Sequence, residues 1–227
     1  MGRGDRDGQP HHPAWHRAGP GGIAVNAPRP RTRIQRRNRK LILDAALDVF
    51  SAQGYRGATL DQIAASAGLS KPNLLYYFDN KEEIHRTLLT DLLDAWLAPL
   101  HDLAPDGDPQ AEILGYVRRK LQMSREYPRE SRLFANEILQ GAPRIEGFIR
   151  GDLKALVDEK AAVIRGWAAQ GRIADLDPYH LIFSIWALTQ HYADFEAQMR
   201  MVRGEGVDTF EGAESYLDTL FARLIAP

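Results

Sequence analysis

The sequence predicts an all-α fold in two parts, a small N-terminal head and a larger C-terminal body. Apolar side chains recur at three- and four-residue spacing along most of the 227 residues, which is the spacing of one face of a helix. No stretch alternates apolar and polar residues with the period of two that a half-buried strand requires. The length suffices for two modest domains.

The head is predicted to contain three helices. The first extends from about Ile34 to Gln53, and Gly54 ends it. Thr59 and Ser70 are good N-cap residues, and each precedes a short helical pattern. Gly68 separates the two patterns and supplies the turn between them.

Two short helices joined at one glycine have the geometry of a helix-turn-helix, whose second helix enters the DNA major groove by its N-terminal residues. Lysine donates to guanine or phosphate, asparagine pairs with adenine, and tyrosine hydroxyls reach phosphates. We therefore expect a double-stranded DNA operator as a partner; an ordinary helical hairpin is the alternative. The predicted DNA-binding residues are Thr59, Ser70, Lys71, Asn73, Tyr76, Tyr77 and Lys81.

The charge distribution favours the same interpretation. Residues 1–86 contain 14 Lys and Arg against 8 Asp and Glu, whereas residues 87–227 contain 15 against 22. A basic front half suits phosphate binding, and an acidic remainder repels DNA and keeps it at one end. A basic run directly precedes the first helix and is predicted to be a phosphate or minor-groove arm, with a solvated charge run as the alternative. Its members are Arg29, Arg31, Arg33, Arg36, Arg37, Arg39 and Lys40.

Several classes of protein are not expected from the composition. There is no cysteine, which excludes disulfides and thiolate metal sites. No apolar run approaches the roughly 20 residues that span a bilayer, and the N-terminus lacks the apolar region of a secretory signal. Neither a metal-ligand motif nor a glycine-rich phosphate loop is found. We expect a cytoplasmic protein without cofactor, metal or membrane, and not an enzyme.

The boundaries follow from these patterns. Residues 1–30 are predicted to be a disordered basic tail because they are rich in Gly and Pro and poor in large apolar groups. Residues 31–84 form the predicted DNA-binding domain, and residues 85–227 form the predicted ligand-binding and dimerisation domain. Predicted body helices begin at Lys81 and meet Pro99, then cover about 113–126, 129–139, 145–170, 178–202 and 216–225.

One predicted body helix carries a line of polar and aromatic groups. Trp186, Gln190 and Asp194 are four residues apart and share a helix face. An indole beside hydrogen-bonding groups suits a flat polar ligand, although the adjoining apolar stripe is typical of a core or a dimer interface. Trp96 and the pair Asn136 and Glu137, which interrupts an apolar pattern, are further candidates; ordinary exposure is the alternative for them.

The sequence resembles that of a known protein family. The run from Leu41 to Ile84 is similar to the DNA-binding domain of TetR-family repressors, except that Leu75 stands where an aromatic phosphate contact is usual. The form Ser70-Lys-Pro-Asn-Leu-Leu-Tyr-Tyr-Phe78 resembles a narrower branch, the regulators of pyrimidine utilisation. The segments Asp94-Ala-Trp-Leu-Ala-Pro-Leu100 and Thr189-Gln-His-Tyr-Ala-Asp-Phe195 extend that resemblance into the body, and the residues after Phe195 match poorly.

The resemblance implies a homodimeric, repressor-like regulator whose small-molecule effector is uracil or thymine. It implies effector contacts at Trp96, Trp186 and Gln190, where indole faces would stack and an amide would both donate and accept. Asn136, Glu137 and Asp194 are candidates from polarity and placement alone. Two alternatives stay open, a regulator of the same class that responds to a purine or a pyrimidine breakdown product, and a helical enzyme acting on a nucleobase.

Overall fold

The computed structural model describes residues 33–227, and within that range the chain is helical with no strand. The all-α prediction is thus confirmed, while the predictions for the tail at 1–30 and for Arg29 and Arg31 lie outside the described residues. The helices are α1 (Arg33–Gly57), α2 (Leu60–Ser66), α3 (Lys71–Leu75), α4 (Lys81–His101), α5 (Pro109–Glu126), α6 (Pro128–Leu139), α7 (Glu146–Phe148), α8 (Lys154–Ala169), α9 (Pro178–Asp194), α10 (Glu196–Arg203) and α11 (Ala213–Leu224), with a π-helical stretch, Ile149–Leu153, between α7 and α8.

Several helix boundaries differ from the predicted ones; α5, for example, begins at Pro109 rather than near Ile113. The pattern at 145–170 contains the π-helical stretch, and the pattern at 178–202 divides into α9 and α10 at Phe195, whose φ of −113° and ψ of 22° leave the helical region. In addition, α4 continues past Pro99 to His101. A proline so near a helix end removes a single backbone hydrogen bond, so the helix survives it.

Thr59 and Ser70 cap the N-termini of α2 and α3, as predicted. The backbone N–H of Gln62 donates to Thr59 Oγ1 (3.2 Å), and the Thr59 N–H donates to Gln62 Oε1 (2.8 Å), which completes a capping box. Ser70 Oγ accepts a hydrogen bond from the Asn73 N–H (3.3 Å). Each cap contributes about 1 kcal/mol to stability. Gly68 has a φ of +67°, which glycine adopts without the steric cost that a Cβ imposes.

A small core holds the three-helix head together. It is built around Ile42 and Phe50 of α1, Ile63 of α2, Leu74 of α3 and Ile84 of α4, all of which are fully buried. Each such side chain contributes about 1.5–3 kcal/mol through removal from water. The same cluster extends into the body through side chains of α6 and of the loop after it, namely Leu133, Ala142 and Ile145.

A second core fills the body. It includes Trp167 of α8, whose indole N–H donates to the carbonyl oxygen of Pro105 (2.9 Å), and Phe221 of α11. Helix α4 belongs to both cores, because Leu89 and Leu93 pack in the head cluster and Leu100 packs in the body cluster. Helix α4 therefore packs against both the head and the body.

Candidate DNA-binding surface and effector site

Helix α3 presents its predicted DNA-reading residues to solvent. Leu74 is buried against the head core, while Lys71, Asn73 and Tyr76 are exposed. Lys71 Nζ lies 2.9 Å from Asp61 Oδ2, and the two side chains are 45% and 69% exposed. A pair this exposed contributes little free energy, so Lys71 can exchange Asp61 for a phosphate at small cost.

The tyrosines at the end of α3 are held by the start of α1. Tyr76 OH accepts a hydrogen bond from Gln35 Nε2 (3.1 Å), and Tyr77 OH accepts one from Asn38 Nδ2 (2.9 Å). The two tyrosine rings meet edge to face with centroids 5.1 Å apart. Sequence reasoning missed Gln35 and Asn38, and the only signal for them was their position within the basic run. This arrangement places the basic first turns of α1 next to the exposed side of α3.

The remaining predicted DNA-binding residues have structural contacts of their own. The Thr59 and Ser70 hydroxyls cap helices, as described above. Lys81 Nζ donates to the carbonyl oxygens of Tyr55 and Ala58, both at 2.8 Å, and lies 4.4 Å from the centre of the Tyr55 ring. Burial lowers the pKa of Lys81. Lys81 thus fastens the end of α1 to the start of α4, and its DNA contact stays a prediction.

Lys81 belongs to a polar cluster between head and body, which we call the junction and which consists of Tyr55, Lys81, His85, Glu137 and Arg144. Glu137 is 1% exposed. Its carboxylate accepts hydrogen bonds from the Arg144 backbone N–H (2.8 Å) and from Arg144 Nη1 (2.9 Å). The Arg144 guanidinium also lies 3.4 Å from the centre of the Tyr55 ring. The junction therefore joins α1, α4, α6 and the loop after α6.

His85 sits in the junction as a neutral side chain. Its ring meets Phe50 and Tyr55 edge to face at 4.7 and 4.9 Å. Burial, followed by the nearby charges of Arg144 and Lys81, lowers the pKa of His85 to about 4. Its Nδ1 lies 3.9 Å from a Glu137 oxygen, but a neutral ring forms no ion pair. Among described atoms, Nδ1 has no hydrogen-bond partner.

Two predicted effector residues are separated from the other four. Glu137 lies in the junction, where Arg144 engages both carboxylate oxygens, and its effector contact stays a prediction. Asn136 is half-buried beside it, and its carbonyl oxygen accepts from Gln140. The sequence could not reveal this, because the partner of Glu137 follows a turn in which Gly141 and Ala142 both adopt positive φ, 88° and 55°.

Trp96 and Asp194 belong to one largely buried group, linked through Lys120, that we call the central cluster and that consists of Trp96, Lys120, Ser131 and Asp194. Lys120 Nζ of α5 lies 4.2 Å from the centre of the Trp96 ring of α4. Ser131 Oγ of α6 donates to Asp194 Oδ1 of α9 at 2.5 Å. Burial lowers the pKa of Lys120 to about 8, against the opposing effect of the Asp194 carboxylate. Burial likewise raises the pKa of Asp194, against the Ser131 hydrogen bond.

Trp186 and Gln190 precede Asp194 on α9 at successive four-residue steps. The Trp186 indole N–H donates to Tyr116 OH (2.6 Å), and Tyr116 precedes Lys120 by one turn of α5. Gln190 is half-buried, one turn from both Trp186 and Asp194. Sequence reasoning missed Tyr116, Lys120 and Ser131; flanking arginines make Lys120 resemble a surface lysine, and nothing local distinguishes the other two.

Trp96, Lys120 and Ser131 of the central cluster are buried, and Asp194 is half-buried. Two surface cavities have volumes of about 290 and 340 Å³. The first is lined in part by Tyr116, and none of the six predicted effector residues lines either one. Trp96 is buried and its indole N–H has no acceptor among the described residues. Within 33–227 we find no group of His, Asp or Glu side chains arranged to hold a metal ion, and no helix there is both long and apolar enough to cross a membrane.

Comparison with known proteins gives matches to both halves of the chain. A family model described as bacterial regulatory proteins, tetR family, matches residues 42–87, and one described as YcdC-like protein, C-terminal region, matches residues 89–227. The HTH-type transcriptional regulator RutR of Escherichia coli (strain K12) is 52% identical over 181 residues, which are 80% of this chain and 85% of RutR.

Other similarities cover less of the chain or show the fold alone. The biofilm operon negative transcriptional regulator IcaR of Staphylococcus epidermidis is 51% identical over only 45 residues, 20% of this chain and 24% of IcaR. The solved structure of the ketosteroid transcriptional regulator KstR2 of Mycobacterium tuberculosis superposes with a TM-score of 0.66 at 20% identity, over 90% of this chain and 97% of that one. The similarity to RutR therefore includes the body, where the central cluster lies.

Proposed function

This chain belongs to the TetR family of bacterial transcriptional regulators, and we propose that it is a repressor whose operator binding is relieved by a pyrimidine base, uracil or thymine. The observation that carries the proposal is 52% identity to RutR across 80% of the chain. Two regulators that bind the same kind of effector should be similar in the body, which holds the effector, and not only in the DNA-binding head. Its relatives are named as transcriptional regulators, and the chain is a regulator rather than an enzyme.

The head is proposed to bind operator DNA through α3. Its exposed Lys71 and Asn73 would contact bases, and Tyr76 with Tyr77 would contact phosphates in place of the aromatic residue that Leu75 replaces. Two heads in a homodimer would occupy the half-sites of a pseudo-palindrome. Exposed apolar side chains on α9 and α11 support a dimer face there; they include Phe183, Tyr216 and Leu224.

The effector is proposed to bind at the central cluster and the adjoining Trp186 and Gln190. Uracil and thymine are flat rings with carbonyl acceptors and N–H donors on their edge. An aromatic surface with a few fixed polar groups is the usual design for such a ligand. Gln190 lies half-buried between Trp186 and Asp194, where its amide would both donate and accept.

Two helices provide a physical route from effector to DNA. Helix α4 carries Trp96 of the central cluster and, about 16 Å away at 1.5 Å per residue, His85 of the junction. Helix α6 carries Ser131 of the central cluster and, about 9 Å away, Glu137 of the junction. Because Trp96 and Lys120 are buried, we expect an effector that reaches them to displace at least one of these helices. That displacement would be transmitted to the head.

Thermodynamic linkage relates effector binding to the loss of operator affinity. If the effector binds the DNA-releasing arrangement more tightly, it weakens DNA binding by the same factor. A tenfold loss of operator affinity requires about 1.4 kcal/mol of coupling.

A second candidate keeps the regulator and changes the effector to a purine or a pyrimidine breakdown product. No residue of the central cluster excludes it, since these compounds share the flat ring and polar edge. Similar folds host different ligands through a few substitutions.

The test is a DNA-release assay. A duplex selected by the protein from a random-sequence pool is labelled, and its binding is followed by fluorescence anisotropy at one salt concentration. Uracil or thymine should lower operator affinity at least tenfold, whereas cytosine should not. Release by a purine alone would favour the second candidate, and operator affinity unchanged by every compound would refute effector-relieved repression.

A further inference from the structure

The two buried lysines of the body differ in a way that points to a ligand. Lys160 is 5% exposed, and its Nζ donates to the carbonyl oxygens of His101 (2.9 Å) and Leu103 (3.2 Å). Lys120 is 4% exposed, yet in the described part of the chain its Nζ donates to no oxygen and only faces the Trp96 ring. Lys160 is hydrogen-bonded, as buried polar groups nearly always are, whereas the Lys120 ammonium group contacts an aromatic face and no described oxygen.

A second donor beside Lys120 has the same character. The Trp96 indole N–H is buried and meets no acceptor among the described residues, and the two side chains are in direct contact at 4.2 Å. An unsatisfied buried donor costs free energy that folding does not recover. A buried indole N–H without an acceptor, in contact with an ammonium group that donates to no described oxygen, therefore indicates a place where an acceptor-bearing molecule can form hydrogen bonds.

The same cluster contains one strong acceptor. Asp194 receives the Ser131 hydroxyl on Oδ1 at 2.5 Å, and its charge acts on Lys120 strongly enough to oppose the effect of burial on that lysine. The groups at hand are thus ammonium and indole donors with a carboxylate acceptor near them. The complement of two donors and one acceptor is a ligand edge with two acceptors and one donor.

That edge is an imide, in which one N–H lies between two carbonyl groups. Uracil and thymine carry it. Cytosine does not, because an amino group and an unprotonated ring nitrogen replace one carbonyl and the N–H. We propose that Lys120 is the specificity-determining residue of the effector site and that its ammonium group donates a hydrogen bond to one imide carbonyl of the effector. This inference rests on the proposed function and adds the residue that discriminates among nucleobases.

The test pairs protein variants with ligand variants. Lys120→Met keeps most of the side-chain stem and removes the donor, and Lys160→Met is the matched control at the satisfied lysine. Uracil binding is measured by titration calorimetry, together with 4(3H)-pyrimidinone and 2-pyrimidinone, each of which lacks one of the two carbonyl groups. A hydrogen bond to a charged group corresponds to roughly a 10- to 100-fold change in affinity.

The proposal predicts that Lys120→Met weakens uracil binding roughly 10- to 100-fold, while Lys160→Met leaves uracil affinity within about twofold of the wild type. The analogue that lacks the carbonyl group contacted by Lys120 should bind the wild type roughly 10- to 100-fold more weakly than uracil does. Its affinity should not fall further in Lys120→Met, because the contact is absent in both proteins. A merely structural role for Lys120 would weaken all three ligands alike. Uracil affinity unchanged in Lys120→Met, or an equal loss for every ligand, would overturn the inference and leave the proposed function standing.

Folding gives an independent readout. Lys120→Met should melt at or above the wild-type temperature, because an unpaired buried charge is replaced by an apolar group. Lys160→Met should melt lower, because two carbonyl oxygens lose their donor. If Lys120→Met fails to fold, Lys120→Gln retains a neutral N–H donor group and should show a smaller loss of uracil affinity. Wild type that binds no uracil would overturn the proposed function and this inference together.

Discussion

Replacing Glu137 by glutamine tests whether the junction depends on a buried charge pair. The Glu137 side chain is fully buried, the Arg144 side chain is 16% exposed, and the two are joined at 2.9 Å. Removing one partner of a buried ion pair costs about 3–5 kcal/mol, because the other charge stays buried without compensation. Glutamine still accepts from the Arg144 backbone N–H, so we expect the low end, about 3 kcal/mol. For a chain of this size the melting temperature should fall by about 6–12 °C.

The double variant separates the charge from the packing. In Glu137→Gln with Arg144→Met no charge is left unpaired, and neutral replacements of a buried pair often cost little. The stacking of Arg144 on Tyr55 is also lost, at about 1 kcal/mol. The double variant should therefore be more stable than Glu137→Gln alone. Unfolding by urea at one protein concentration measures this. A single-variant loss below about 1 kcal/mol, or additive losses, would refute the reasoning.

Three further predictions concern the head. Lys71→Ala and Asn73→Ala should each weaken operator binding roughly 10- to 100-fold, with uracil affinity unchanged; full operator affinity in both would remove α3 as the reading helix. The pKa of His85 in the folded chain, about 4, lies below its ordinary value near 6.5, so stability is lost as the pH falls through that interval. His85→Gln should lessen the loss between pH 7 and 5 by about 2 kcal/mol, and an unchanged difference would contradict neutral burial. Gly68→Ala, at a φ of +67° with open space around the new methyl group, should cost about 1 kcal/mol, whereas Gly115→Ala inside α5 should be neutral or stabilising; equal effects would contradict the turn assignment.

The parts of this molecule that the sequence predicts correctly are local. Thr59 and Ser70 cap helices because a hydroxyl reaches a backbone N–H three residues away, and both residues of each contact lie in one window of sequence. Gly54 ends the regular part of α1 with a φ of 67° for an equally local reason. The helix content follows from periodicity in the same way.

The parts that could not be predicted depend on contacts across the fold. Asp194 meets Ser131 across 63 residues of sequence, and Trp186 meets Tyr116 across 70. Which helix faces which is set by packing of the whole body, and no property of Ser131 or Tyr116 alone indicates its partner. Glu137 shows a different limit, since a polar residue in an apolar pattern indicates a buried partner without indicating whether that partner is a ligand or an arginine.

The central claim, that a pyrimidine base is the effector, is tested most directly by calorimetric titration of the wild-type chain with uracil, thymine, cytosine and xanthine. We expect micromolar or tighter binding of uracil or thymine, at about one molecule per chain, with cytosine and xanthine much weaker. Absence of binding heat with both uracil and thymine across several temperatures would contradict it, because binding that buries apolar surface has a heat that changes with temperature and cannot vanish at all of them.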